Sequence, residues 1–102
     1  MESFNQLSPA QVERLALLAE EMGEAIQAIG KVLRHGLDNY HPHGGPLNRT
    51  RLEFEMGDVL QALDMLVDAG DLSMPVILEH QAEKKAKVSK HLHHQEESSN
   101  VK

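Results

Sequence analysis

Apolar residues recur at helical spacing in three blocks of this chain, and the polar stretches between them carry the signals that start and stop helices. The first block opens at Ser8-Pro9-Ala10-Gln11, where serine caps, proline suits the first helical position and Gln11 completes a capping box. The pattern runs through Leu33 and stops at His35-Gly36. A second helix is predicted from Asn48 or Thr50, with Thr50-Arg51-Leu52-Glu53 as its capping box, to Ala69-Gly70. After Asp71-Leu72, Ser73 caps a third helix with Pro75 in its first turn, predicted to reach His93. Residues 36–50, rich in glycine, proline and asparagine, read as a loop, long enough to carry function. Gly23 and Gly30, inside the first helix, are expected where a neighbouring helix packs closely. The fold class is all-α: one domain over residues 1–95 with three main helices, followed by a polar tail at 96–102 expected to lack regular structure.

The faces of these helices carry an anomaly. At about 100° per residue, and with Glu21 as zero, Leu17, Leu18, Ala25, Ala28, Ile29 and Val32 fall between roughly −40° and +80°. Glu21 therefore points into the apolar face, Glu24 sits at its edge, and Glu20 lies toward the polar side. In the second helix, with Asp58 as zero, the apolar positions span about −40° to +140°, and both Asp58 and Glu55 lie within that arc. Glu53 and Asp64 are on the opposite side. Phe54 is expected in the core.

Inward carboxylates need a counter-charge, because desolvating an ion costs several kcal/mol even after relaxation. Arg14 and Arg51 are the cations nearest the same faces, each at a helix end. A single E-x-x-E on a helix is usually a solvated face, and buried Glu–Arg pairing is the main rival explanation. Two such pairs on the apolar faces of consecutive helices favour a divalent metal, and an all-oxygen donor set favours Mg²⁺, with Mn²⁺ as a substitute, over zinc.

Composition narrows the classes. The chain has 102 residues, a formal net charge of −6 and no cysteine, which excludes a disulfide scaffold and a thiolate metal site and makes a nucleic-acid duplex or an acidic membrane an unsuitable partner. No apolar run approaches the roughly 20 residues that span a bilayer, and Met1-Glu2-Ser3-Phe4 has no signal-peptide character. A cytoplasmic protein is expected. With only three aromatic residues (Phe4, Tyr40, Phe54) the core must be aliphatic, and so small a chain gains stability by oligomerising. A homodimer or homotetramer is expected to complete the helical bundle.

Glu20-Glu21-x-x-Glu24 followed by Glu55-x-x-Asp58 resembles the signature of the MazG-like all-α nucleoside triphosphate pyrophosphohydrolases. The likeness extends through Lys31-Val32-Leu33-Arg34-His35-Gly36, Tyr40-His41-Pro42 and Leu92-His93-His94-Gln95, flanks that look like those of short, single-domain, phage-type members. Two departures stand out. The 30 residues between the pairs (25–54) are slightly more than is common in the family, and Ser89 stands where relatives often carry Asn.

The resemblance implies Mg²⁺-dependent hydrolysis of a nucleoside triphosphate to the monophosphate and pyrophosphate. It implies metal ligation by Glu21, Glu24, Glu55 and Asp58, with Glu20 and Glu21 in catalytic roles, Glu20 as a further ligand or by orienting the attacking water. Lys84 and Lys87 match basic positions of the family's last helix, and Lys31, Arg34 and Tyr40 are further substrate-binding candidates, Tyr40 as a stacking surface for a base. Two other classes share these features. One is a non-catalytic metal- or nucleotide-binding helical oligomer that acts as a sensor or partner protein. The other is a di-iron bundle, which wants a Glu-x-x-His that neither acidic pair supplies.

Overall fold

The computed structural model describes residues 4–95, so the expected polar tail at 96–102 lies outside the described residues. The described residues form three α-helices, α1 (Pro9–His35), α2 (Asn48–Asp68) and α3 (Met74–Lys87), and a 3₁₀ turn at Val88–His91. None of the helices is long and apolar enough to cross a membrane. The chain divides into two units, one ending at Leu72 and one beginning at Ser73.

In the first unit, α1 and α2 form an antiparallel hairpin. Ser8 accepts a hydrogen bond from the Gln11 backbone N–H and the Gln11 side chain accepts one from the Ser8 N–H, so both halves of the capping box are present. α1 ends at Gly36, whose positive φ of 87° suits glycine alone, and its N–H closes on the Val32 carbonyl. Three cross-links then fix the loop ends: the backbone bonds Asn48 N–H to Asn39 O and Arg49 N–H to Leu37 O, and Asn48 Nδ2 to Gly36 O. Asn48 is 3% exposed. Outside this base, Arg49 grips Asp38 through two 3.0 Å hydrogen bonds.

These cross-links place the start of α2 at Asn48, the earlier of the two expected positions, and leave the expected Thr50 capping box unused. The helix begins two residues before Thr50, on Leu47, with no side-chain cap, because loop carbonyls already satisfy its first N–H groups. At the far end Gly70, at φ 84°, reverses the chain so that Asp71 returns to α1. There the Asp71 carboxylate accepts bonds from Gln11 Nε2 at 3.0 Å and Arg14 Nε at 2.7 Å. These bonds hold Asp71 below the usual carboxylate range and raise Arg14. Arg14 is thus committed to Asp71, away from the acidic pairs.

The core between the helices is narrow and built largely of alanine. Ala25 and Ala28 on α1 and Ala62 and Leu66 on α2 are the buried apolar residues. Phe54, expected in the core, is 62% exposed. The contact face of α2 centres on Ala62 and Leu66, which leaves Phe54 past its edge. Gly23 also departs from expectation: a Cβ there would meet nothing within 4 Å, because it points away from α2. At Gly30 the nearest atom is the side chain of Arg34, on the same helix.

In the second unit, Ser73 caps α3 by accepting a bond from the Val76 N–H. The helix stops at Lys87, short of the expected His93, with Lys84, Lys85 and Lys87 gathered in its last turn beside the negative end of the helix dipole. Val88–His91 tightens into the 3₁₀ turn.

Candidate metal centre

Helical spacing and small residues bring the carboxylates together. Ala25 follows Glu21 by four residues, Ala28 follows Glu24 and Ala62 follows Asp58, so each of these acids stands one turn from a methyl-sized side chain on the same face. The helices can approach closely there. Carboxylate oxygens of Glu21, Glu55 and Asp58 lie within 4.8 Å of one another, as do those of Glu20, Glu21 and Glu24. Glu21 belongs to both groups and joins the two helices' contributions. Glu21, Glu24 and Glu55 are half-buried, whereas Glu20 and Asp58 are exposed. For Asp58 this corrects the sequence expectation of an inward group; it lies at the rim of the α1–α2 contact.

The electrostatics are unfavourable as they stand. Burial, followed by the charges of Glu24, Asp58, Glu20 and Glu55, pushes the Glu21 carboxyl above its usual range. Burial and then Glu55, Glu20 and Asp58 do the same to Glu24, and a hydrogen bond with Glu55 adds to the effect. Oε2 of Glu21 and Oε2 of Glu55 are buried with no hydrogen-bond partner. Buried polar atoms are rarely left so, and two in one cluster point to a group that supplies positive charge. A hard divalent cation fits this all-oxygen donor set.

A family model for the MazG nucleotide pyrophosphohydrolase domain matches residues 11–93. The chain belongs to this family. No curated protein and no solved structure matches it. The matched span of the MazG domain takes in all five candidate acids, the whole of α2 and α3, and α1 from Gln11 onward.

Around the acids, Lys31 is half-buried and lines a cavity with Glu24 and Glu55. Arg34 is exposed beside Gly30. Tyr40 is exposed in the loop, where it forms an isolated antiparallel bridge with Leu47. Lys84 and Lys87 are exposed on α3, in the second unit. Two features went unassigned in the sequence. Arg51 shares the cavity with Lys31, a placement foreshadowed by its position one turn before Glu55. Val12, Leu15, Ala19, Met22, Ile26, Ile29 and Leu33 form an exposed stripe on α1 at alternating spacings of three and four, the pattern of a coiled-coil seam.

Proposed function

We propose that this MazG domain hydrolyses a nucleoside triphosphate to the monophosphate and pyrophosphate with Mg²⁺ as its metal. The observation that carries this reading is the pair of buried, unpartnered oxygens on Glu21 and Glu55, on opposite helices within one carboxylate cluster. Glu21, Glu24, Glu55 and Asp58 would hold the ion. When bound, the metal neutralises triphosphate oxygens that the carboxylates would otherwise repel and stabilises charge on the departing pyrophosphate. Glu20, exposed beside Glu21 and Glu24, would orient a water for attack on the α-phosphorus and take its proton as the α-phosphorus–oxygen bond to the leaving pyrophosphate breaks. Lys31, Arg34, Tyr40, Lys84 and Lys87 are the substrate-binding candidates.

The domain spans residues 1–95 in this reading, of which the family match covers 11–93. The reading extends to the assembly: a second copy of the chain covers the exposed stripe on α1, where its coiled-coil spacing suits packing against an equivalent helix. Sedimentation at micromolar concentration should give a dimer or tetramer, and Ile26→Glu should release monomers. A wild-type monomer contradicts this part.

The decisive assay for the reaction is pyrophosphate release from a panel of canonical and modified NTPs and dNTPs in Mg²⁺. Release from at least one, abolished by EDTA and restored by Mg²⁺, is expected. A folded, metal-binding protein that releases pyrophosphate from none would leave only a nucleotide- or metal-binding role.

A further inference from the structure

The cavity next to the carboxylate cluster carries both signs of charge. It has a volume of about 220 Å³ and is lined by Glu24, Gln27, Ala28, Lys31, Arg51 and Glu55. Lys31 lies two turns beyond Glu24 on α1, and Arg51 lies one turn before Glu55 on α2. Because the helices are antiparallel, both cations stand on the same side of the acids, toward the loop.

Neither side chain is committed within the fold. Arg14 and Arg49 are paired with Asp71 and Asp38, but the side chains of Lys31 and Arg51 have no ion pair or hydrogen bond among the described residues. Arg51 and Glu55 are four residues apart on one helix, a spacing at which such pairs readily form, yet no ion pair joins them. The loop backbone covers the guanidinium: a Cβ on Gly45 would come within 3.2 Å of Arg51 Nη2. His41 in the same loop is held below its usual range, by burial first and then by Lys31, His43, Arg51 and His35, as expected of a group beside a concentrated positive field.

Two uncommitted cations beside a cluster suited to a divalent ion make a site for an anion with several charged oxygens, one end on the metal and the other on the cations. The lining decides which part of a nucleotide it suits. It is charged and polar, with one alanine and no aromatic side chain, so it suits phosphates better than a base. We propose that Lys31 and Arg51 form a subsite for the distal phosphates of the substrate, so that the pyrophosphate group lies inward toward the loop and the nucleoside outward. This rests on the triphosphate reading above and gives the substrate a direction.

The test is calorimetric binding of pyrophosphate, in Mg²⁺, to the full chain and to Arg51→Gln, Lys31→Gln and Arg51→Lys, with Mn²⁺ affinity followed by electron paramagnetic resonance. Each Gln variant should bind pyrophosphate at least about tenfold more weakly while Mn²⁺ affinity stays within about threefold, and Arg51→Lys should recover part of the loss. The nucleoside monophosphate product should bind all four proteins alike. Pyrophosphate bound equally by wild type and both Gln variants overturns the subsite, even if triphosphates are hydrolysed. Arg51-dependent pyrophosphate binding in a protein that turns over no triphosphate would sustain the subsite and sink the enzyme reading. Should Arg51→Gln fail to fold, Lys31→Gln carries the same comparison.

Discussion

The alanine contact between α1 and α2 should set the metal affinity of the site, and Ala62→Leu tests this. Ala62 is 1% exposed and stands one turn from Asp58, so three added carbons have no space to enter. Overpacking of this kind costs about 1–3 kcal/mol. In a domain of this size each kcal/mol shifts the melting midpoint by about 4–8 °C, so a fall of roughly 4–24 °C is expected. The helices must separate at the level of the acids, which widens the distance between Glu21 on α1 and Glu55 and Asp58 on α2. Mn²⁺ affinity should drop at least about tenfold, since a hard-ion site depends on how many oxygens converge.

Leu66→Ala is the control. Leu66 is fully buried, and its truncation costs about 2–5 kcal/mol. It lies two turns from Asp58 and removes bulk, so the folded variant should keep Mn²⁺ affinity within about threefold at a temperature well below its midpoint. Differential scanning calorimetry gives the stabilities and metal titration the affinities. If folded Ala62→Leu binds Mn²⁺ as wild type does, close helix approach does not build the site and the packing argument fails.

Other expectations follow from the cluster and the loop. Glu21→Gln should lower pyrophosphate release at least about 100-fold, the scale of losing a metal's charge stabilisation, yet raise the melting point of the metal-free protein. The rise should depend on pH. The Glu21 carboxyl is pushed above its ordinary 4.5, so its protonated form favours folding below that value, and this contribution is lost as pH rises through the shifted one. The gap between Glu21→Gln and metal-free wild type should therefore be smallest below pH 4.5 and widen as pH rises above it; an unchanging gap refutes the assignment. Taking the difference between the two proteins removes the contribution of His41, whose depressed value works in the opposite direction below 6.5, and that of Asp71, which falls away only below 3.8. Asn48→Ala, which strips the Gly36 carbonyl of its partner, should cost about 1 kcal/mol and speed amide exchange at Arg49; unaltered exchange would mean the backbone bonds alone close the loop.

The sequence carried the helices and most of the acidic cluster, and its failures have physical causes. Ser8 with Gln11, and Ser73, marked true helix starts because their side chains bond local N–H groups whatever the rest of the chain does. Thr50-x-x-Glu53 had the same form but was overridden by carbonyls from Leu37 and Asn39, which only tertiary structure brings near. Periodicity put Glu21, Glu24 and Glu55 on inward faces. It does not locate the centre of the contact, so Asp58 and Phe54 read as interior within a broad apolar arc although both are exposed. Arg51 was legible only as a cation near a helix end. Its lack of a partner and its cover by Gly45 arise from the loop fold.

The central claim is that Glu21 and Glu55 face each other across two helices in order to share a divalent ion. Crystals of the full chain soaked in Mn²⁺ and measured at a wavelength with strong manganese anomalous signal test it most directly. An anomalous peak bonded to oxygens of both Glu21 and Glu55, and absent in Glu21→Gln crystals, is expected. A metal-free density map in which these two carboxylates are paired with arginine or lysine, and no peak between them after soaking, would contradict it.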